Sequence, residues 1–573
     1  MEHGTSEKQS YAALDGAHHA FLQQAHLRMA MVTCVLMLGF VAIAWRLTSL
    51  SLIGVHSLPA VLQGGTHAGA QMRRAEILDR NGEVLATTLA MASLYADPSL
   101  VPNPEEVARD LAGILPVDPA AIERLLTRPG RFVWLYRHLT PQQQQAVNDL
   151  GHPGLDFRRE YRRIYPQGAL FSHILGYTDH DTHGISGLEK QYDALLSGGT
   201  PLKTVLDMRV QNILRRELAD AVTYFNAAGG NGIVMQIDSG EIRAMVSLPD
   251  FDPHHPARAE DAARFNRNTA GVFEMGSTFK IFSIAAALER GAVTPEDIFD
   301  ATHPLQRGRF RIHDFHPRRR KMTVGEIFLH SSNIGTALIA EKLGTEELRE
   351  FYRKSGFLTR AAIDLPERAA PLVPRPWREI NTLTASYGHG MAVTPLHVAV
   401  AAAGIVNDGM MPKASLTPQP RLPQRATERI VSPHISAIMR EFMEETTQSG
   451  TGRNAAAEGY RVGGKTGTAE KVVDGRYKKG AVYSSFVGFF PMDNPQYVVV
   501  VSLDEPKGRP ETHGYATGGW TAAPVVGKVI AQAAPFLGIL PAHEAGEQQL
   551  YGSLSRYVAA QRFTHYAADT TQP

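Results

Sequence analysis

Residues 233–246, IVMQIDSGEIRAMV, are two short apolar runs around a turn. Ile233 to Ile237 comes first, then Asp238-Ser239-Gly240, then Ile242 to Val246. Apolar and β-branched residues on both sides of such a turn predict strand, turn, strand. A matching pair lies near the other end of the chain. Ser485 to Phe490 and Tyr497 to Ser502 flank a turn at Asp493-Asn494-Pro495. Between the pairs lie helix-like segments, of which Ser277 to Glu289 is the clearest. Strands at the two ends with helices between them predict an antiparallel sheet whose first and last strands meet.

Toward the N-terminus the pattern changes. Gly229-Gly230 reads as the end of an earlier domain, and Val205 to Val222 before it as one amphipathic helix. Residues 103–150 read as helical, and Tyr165 to Asp207 mixes glycines with short apolar runs. Asn81-Gly82, inside Glu76 to Leu85, is a hairpin turn signal. The chain has 573 residues, too long for one ordinary core, and 43% of them are hydrophobic, as in a globular protein. A net charge of +1 gives no case for nucleic-acid binding. The single cysteine, Cys34, excludes an internal disulfide.

Met29 to Trp45 is an uninterrupted uncharged run. As a helix it spans about 25 Å, slightly short of a hydrocarbon core of about 30 Å, and Leu47, Leu50, Leu52 and Ile53 extend it. It predicts a single membrane anchor. A buried helix and a cleaved signal peptide, with Ala42-Ile43-Ala44 as cleavage site, are the competing readings. The expected organisation is a cytoplasmic leader at 1–28, an anchor at 29–53 and a linker at 54–72. A mixed α/β pedestal at 73–229, a catalytic domain at 230–540 and a polar tail at 541–573 follow. The expected fold class is therefore α+β and multidomain.

Three short motifs lie in order inside the second domain: Ser277-Thr278-Phe279-Lys280, Ser331-Ser332-Asn333 and Lys465-Thr466-Gly467-Thr468. A serine hydroxyl is a weak nucleophile and needs a base within hydrogen-bond reach. Ser277 opens a helix-forming run, so Lys280 lies on its face one turn later. A lysine that acts as base at neutral pH must have its pKa lowered by about three units, a cost of about 4 kcal/mol. Burial and a second cation are the two ways to do that, and Lys465 is the candidate cation. Ser331 and Asn333 flank Ser332; the first could relay a proton to a leaving amine, the second hold a substrate amide. The same residues also suit a plain helix cap ahead of IGTALIAEKLG. Lys465 to Thr468 reads as an edge strand able to pair with an extended peptide, with Gly467 permitting close approach of a ligand. Lys465, Thr466 and Thr468 would offer a cation and hydroxyls to a substrate carboxylate. The backbone N–H groups of Ser277 and Thr468 could form an oxyanion hole. A polar solvent-facing strand is the bland alternative. Arg318-Arg319-Arg320-Lys321 reads as a solvated loop, as does the Pro- and Arg-rich stretch 412–428. No histidine spacing suggests a metal site, and no cofactor is expected.

With these motifs the chain resembles the class B penicillin-binding proteins over about residues 70–535. Tyr165-Pro166, Gly176-Tyr177-Thr178, Gly184-Ile185-Ser186-Gly187-Leu188-Glu189 and Leu248-Pro249-Asp250-Phe251-Asp252-Pro253 resemble the division-specific (septal) branch. So do Tyr387-Gly388-His389-Gly390, Thr394-Pro395, Gly518-Gly519-Trp520 and Ala523-Pro524. Met275, Ala75 and His254 depart from common members of the family, away from the reacting groups. The resemblance implies a peptidoglycan D,D-transpeptidase anchored in the bacterial inner membrane, with its catalytic domain outside the cytoplasm. It implies D-Ala-D-Ala stem peptides as substrate and β-lactams as covalent inhibitors of Ser277. No Glu-Asp-x-x-Phe signature occurs in residues 56–230, so a separate glycosyltransferase polymerase and other division proteins are the implied partners. The alternatives are an elongation-type relative, a D,D-carboxypeptidase or β-lactamase-like hydrolase, and an inactive division scaffold.

Overall fold

The computed structural model describes most positions between 31 and 45 and residues 73–419, 429–473 and 476–541. The chain divides into two compact units, 1–71 and 72–573. In the first, the described positions between 31 and 45 are helical and apolar side chains such as Leu36, Phe40 and Trp45 are exposed. Among the described residues no helix is long and apolar enough to cross a membrane. The leader, residues 29–30 and 46–53 of the expected anchor, the linker, much of the 412–428 loop and the tail after 541 lie outside the described residues.

The second unit opens with a five-stranded sheet. Its strands are β1 (Ile77–Leu78), β2 (Val84–Ala96), β3 (Val133–Leu139), β4 (Leu155–Ile164) and β5 (Leu202–Lys203). The Asn81-Gly82 turn joins β1 to β2 as expected, with Gly82 at φ +92. The buried Asp79 carboxylate accepts from the Asn81 and Glu83 amides at 2.7 and 2.9 Å, which fixes the turn. The uniform helical reading of 103–150 is corrected. Helices Pro104–Ile114, Pro119–Leu126 and Pro141–Asp149 each start on a proline, but β3 lies among them and pairs with β2. Its aromatic and β-branched residues suit a pleated surface, and Leu135 and Leu139 face the core. A buried ion cluster ties this region together. Glu189 receives the Arg74 and Arg163 Nε atoms, each at 2.7 Å, and Arg74 also reaches Asp193 at 2.6 Å.

The second sheet is antiparallel, and its order places first against last strand as the sequence predicts. It joins β6 (Gly229–Gln236) and β7 (Ile242–Leu248) to strands from the far end of the chain. Two short two-stranded sheets intervene. In one, β8 (Ile298–Asp300) pairs with β11 (Lys321–Thr323); in the other, β9 (Leu305–Arg307) pairs with β10 (Phe310–Ile312). Then come β12 (Gly463–Val473), β13 (Arg476–Phe490) and β14 (Tyr497–Asp504), giving the order β12-β13-β14-β6-β7. Gly229 and Gly230, read from sequence as a break, are the first residues of β6 and pair with Asp504 and Leu503.

Every residue of β14 is buried, and its side chains alternate between two cores. Val498 and Val500 join Phe279, Phe282 and Leu396 on one face. Val499 and Val501 join Leu214, Leu218, Val526 and Ile530 on the other. A near-continuous valine run is what a strand covered on both sides requires. On that second face the helix Met208–Tyr224 packs close because a Cβ on Gly232 would meet Leu214 at 2.8 Å. The first face carries the helices Lys280–Glu289 and Pro395–Val406, and β12 is left at the sheet edge.

Candidate active site

Gly276 decides how the nucleophile segment meets the edge strand. It adopts φ +54, its amide donates to the Gly388 carbonyl at 3.1 Å, and a Cβ there would lie 2.5 Å from the Thr468 carbonyl oxygen. The chain then forms a 3₁₀ turn, Gly276–Phe279, before the α-helix Lys280–Glu289. Sequence periodicity places Ser277 in an α-helical first turn; the structure tightens that turn. In 3₁₀ geometry residues i and i+3 eclipse, so Lys280 stands directly over Ser277. The Lys280 Nζ lies 2.8 Å from the Ser277 Oγ.

Lys280 has no exposed surface, and its amine has three other oxygen neighbours. They are the Ser331 carbonyl at 2.7 Å, the Asn333 Oδ1 at 2.8 Å and the Ser331 Oγ at 3.1 Å. The first two can only accept. A neutral amine has two hydrogens and one lone pair, so those two acceptors take the hydrogens and leave the lone pair for the serine hydroxyl. The Asn333 amide is oriented by its Nδ2, which donates to the His313 carbonyl at 3.0 Å.

Ser331 sits in the left-handed region at φ +58, closing the helix Val324–His330. That uncommon backbone for a non-glycine residue puts its hydroxyl between two amines: the Lys465 Nζ is 3.0 Å away. Ser332 caps the helix Asn333–Leu343 through the Gly335 amide at 3.0 Å, so the capping role and the site role coexist within one motif. Asp314 holds the motif from outside, accepting from the Ser332 hydroxyl at 2.8 Å and the Ile334 amide at 2.9 Å. The sequence reading did not find Asp314; the only signal for it is an acid in a loop 18 residues ahead of its partner.

Both lysines are buried completely. Burial pushes Lys465 down to about 7, with Phe328 beneath its ammonium at 5.7 Å. Burial depresses Lys280 well below the usual lysine range, and the Lys465 charge lowers it further while Asp314 opposes. The sequence argument needed these two causes.

The strand β12 carries the last motif at the sheet edge. Gly467 is needed for a reason other than the expected one. A Cβ there would meet the Ser485 hydroxyl at 2.4 Å and the Met275 carbonyl at 2.5 Å, so it lets the nucleophile turn, not a ligand, approach. Thr466 is buried, with its hydroxyl 2.9 Å from that of Thr451. The Thr468 hydroxyl accepts the Gly518 amide at 3.1 Å. Both hydroxyls are thereby fixed, each with hydrogen-bonding capacity left. The structure thus brings Ser277, Lys280, Ser331, Asn333 and Lys465 into one hydrogen-bonded cluster, with Thr466, Gly467 and Thr468 along its flank. A cavity of about 830 Å³ beside Tyr224 and Trp520 is lined by none of these residues. Arg318 to Lys321 is exposed, with Arg320 paired to Glu326 at 2.8 Å. Among the described residues no group of acids, histidines or cysteines could hold a metal.

A serine, two buried lysines and an edge strand beside them have the makings of a serine acyl-transfer site. Residues 230–531 match the penicillin binding protein transpeptidase domain, and residues 70–223 the penicillin-binding protein dimerisation domain. The chain is 38% identical to the "Probable peptidoglycan D,D-transpeptidase FtsI" of Caulobacter vibrioides, over 83% of this chain and 84% of that one. It is 30% identical to the peptidoglycan D,D-transpeptidase FtsI of Escherichia coli, over 80% and 82%. A crystal structure of a peptidoglycan synthetase from Bifidobacterium adolescentis shares the fold, with TM-score 0.65 and 21% identity over 82% of this chain and 96% of that one. The chain belongs to the class B penicillin-binding proteins.

Proposed function

We propose that this chain cross-links peptidoglycan stem peptides during septal wall synthesis, through an acyl-enzyme on Ser277. The observation that carries the reading is the Lys280 amine, whose two obligate acceptors leave its lone pair for the Ser277 hydroxyl at 2.8 Å. The stem peptide lies along β12 with its terminal carboxylate toward Lys465 and Thr466. Ser277 Oγ attacks the carbonyl of the penultimate D-Ala as Lys280 takes its proton. The oxyanion forms against the Ser277 and Thr468 backbone N–H groups. Ser331 passes a proton to the departing amine, and the terminal D-Ala leaves. An amine from a neighbouring strand then attacks the ester, the amide forms, and Ser277 recovers its proton. Asn333 positions the donor's amide. A β-lactam presents the same carboxylate and carbonyl but keeps its leaving amine tethered, so the ester persists.

The domain boundaries at 73–229 and 230–540 and the anchor at 29–53 belong to the same proposal. An extracytoplasmic catalytic domain on one inner-membrane span, working beside a separate polymerase and other division proteins, fits the exported substrate. Mass spectrometry after benzylpenicillin treatment tests the reaction. One adduct on Ser277 that lasts many minutes is expected, and none in Ser277→Ala. Turnover within seconds would instead establish a hydrolase, and no adduct at all a scaffold.

A further inference from the structure

The cavity of about 830 Å³ beside Tyr224 and Trp520 lies between the helices Met208–Tyr224 and Ala522–Ala533. These helices cover the sheet face opposite Lys280–Glu289. They run antiparallel. The Arg209 guanidinium lies over the Phe536 ring at 4.9 Å, Gln532 donates to the Glu217 carboxylate at 2.9 Å, and the Lys528 ammonium is 3.9 Å from the same carboxylate. Beyond those contacts the cavity opens, with Tyr224, Phe225, Trp520 and Val525 in its lining.

The chain itself supplies an occupant. The described residues end at Pro541, just past the helix Ala522–Ala533, and residues 542–573 follow. That helix is about 18 Å long at 1.5 Å per residue. The eight residues 542–549 extend to about 26 Å, so Leu550 reaches the cavity at the helix's far end. Leu550, Leu554, Tyr557 and Val558 follow the i, i+4, i+7, i+8 spacing that gathers apolar side chains on one face. Arg556 and Arg562 lie in the same stretch, and no acid occurs between Gln548 and Ala568. The cavity offers Asp220 and Glu217 against Lys528, and Asp220 is exposed and makes no ion pair among the described residues. Phe536 and Leu540 where the chain leaves, and Tyr224 at the cavity, are exposed apolar side chains at the two ends of that route.

We propose that this cavity seats the chain's own C-terminal segment Leu550–Arg562, its apolar face against Tyr224, Phe225 and Val525 and its arginines against Asp220 and Glu217. An amphipathic segment laid in a groove buries apolar surface that both sides otherwise expose. A tether this short keeps the segment at high local concentration, so modest contacts suffice to hold it. The inference does not depend on the acyl-transfer reading.

Disulfide trapping in the full chain, held in detergent micelles and carrying Cys34→Ser, tests it. Thr223→Cys at the cavity is paired with Ser555→Cys, and the rate of bond formation under mild oxidation is compared with that of a control pair, Gln142→Cys with Ser555→Cys. Gln142 is exposed on the pedestal helix Pro141–Asp149. The cavity pair is expected to close at least tenfold faster than the control, within one chain and at a rate independent of protein concentration. Leu554→Asp combined with Tyr557→Asp should bring it down to the control rate, and Asp220→Lys should slow it about threefold. Equal rates for the two pairs overturn the proposal and leave the cavity to a partner. A fast rate that survives either set of changes overturns it as well, and bonds formed only between chains give the seat to the tail of a second copy and overturn it too. Every substitution falls on an exposed position or in residues 542–573, apart from Cys34, so the fold of the catalytic domain is not at stake.

Discussion

Two amines with lowered proton affinity share one serine hydroxyl, and pH should expose the arrangement. Lys280 must be neutral to accept a proton, so acylation falls on the acid side as it becomes charged. Lys465 must keep its charge to hold a carboxylate, so acylation falls again as pH rises through about 7. A bell-shaped profile of the benzylpenicillin rate is expected, its two limbs belonging to the coupled pair. Stability carries the same signature with a definite sign. Unfolded, Lys465 keeps its proton to 10.5; folded, only to about 7. Between those values the unfolded chain binds the extra proton, so stability rises with pH through that window, and below it the penalty is fully in force. Lys465→Met should flatten that rise in denaturant melts and stabilise the protein at neutral pH by about 1–4 kcal/mol. Acylation should be lost in the same variant. These lysines were legible in the sequence because their motifs are short and local. Asp314 and Thr451 were not, since each meets the site only through long-range folding.

Glycine placement decides how elements approach. Gly467→Ala should push β12 away from the nucleophile turn, costing about 1–3 kcal/mol by overpacking and lowering the acylation rate at least tenfold. Gly113 supplies the contrast, since it lies in the helix Pro104–Ile114 with no atom beyond its own helix backbone within 4 Å of an added Cβ. Gly113→Ala should stabilise by about 0.5–1 kcal/mol and leave acylation alone. Thermal melts and penicillin kinetics on the two variants check both. Element types were legible where apolar runs flank a turn, as in β6–β7 and β13–β14. They were missed at Val133–Leu139, where seven residues among helices have too little length to show a period of two. The strand is fixed by pairing with β2, a contact that the local sequence does not announce.

At the scale of the whole molecule, the first and last strands of the catalytic region share one sheet, and a buried ion cluster ties the pedestal together. Glu189 holds two guanidinium groups with almost no exposed surface. Glu189→Ala leaves Arg163 without a carboxylate and Arg74 with Asp193 alone, and should cost about 3–5 kcal/mol, read as a fall in melting temperature. The folded fraction should still be acylated by benzylpenicillin at the wild-type rate, because the cluster touches none of the reacting groups. The meeting of first and last strands was legible as an architecture; which helices cover which face was not, because β14 is apolar on both sides. That same strand has a kinetic consequence. Its odd and even valines belong to different cores, so neither core can melt while the other stays intact. During synthesis the sheet must wait for the last third of the chain, and until Tyr497–Asp504 emerges the two halves have no common centre on which to condense.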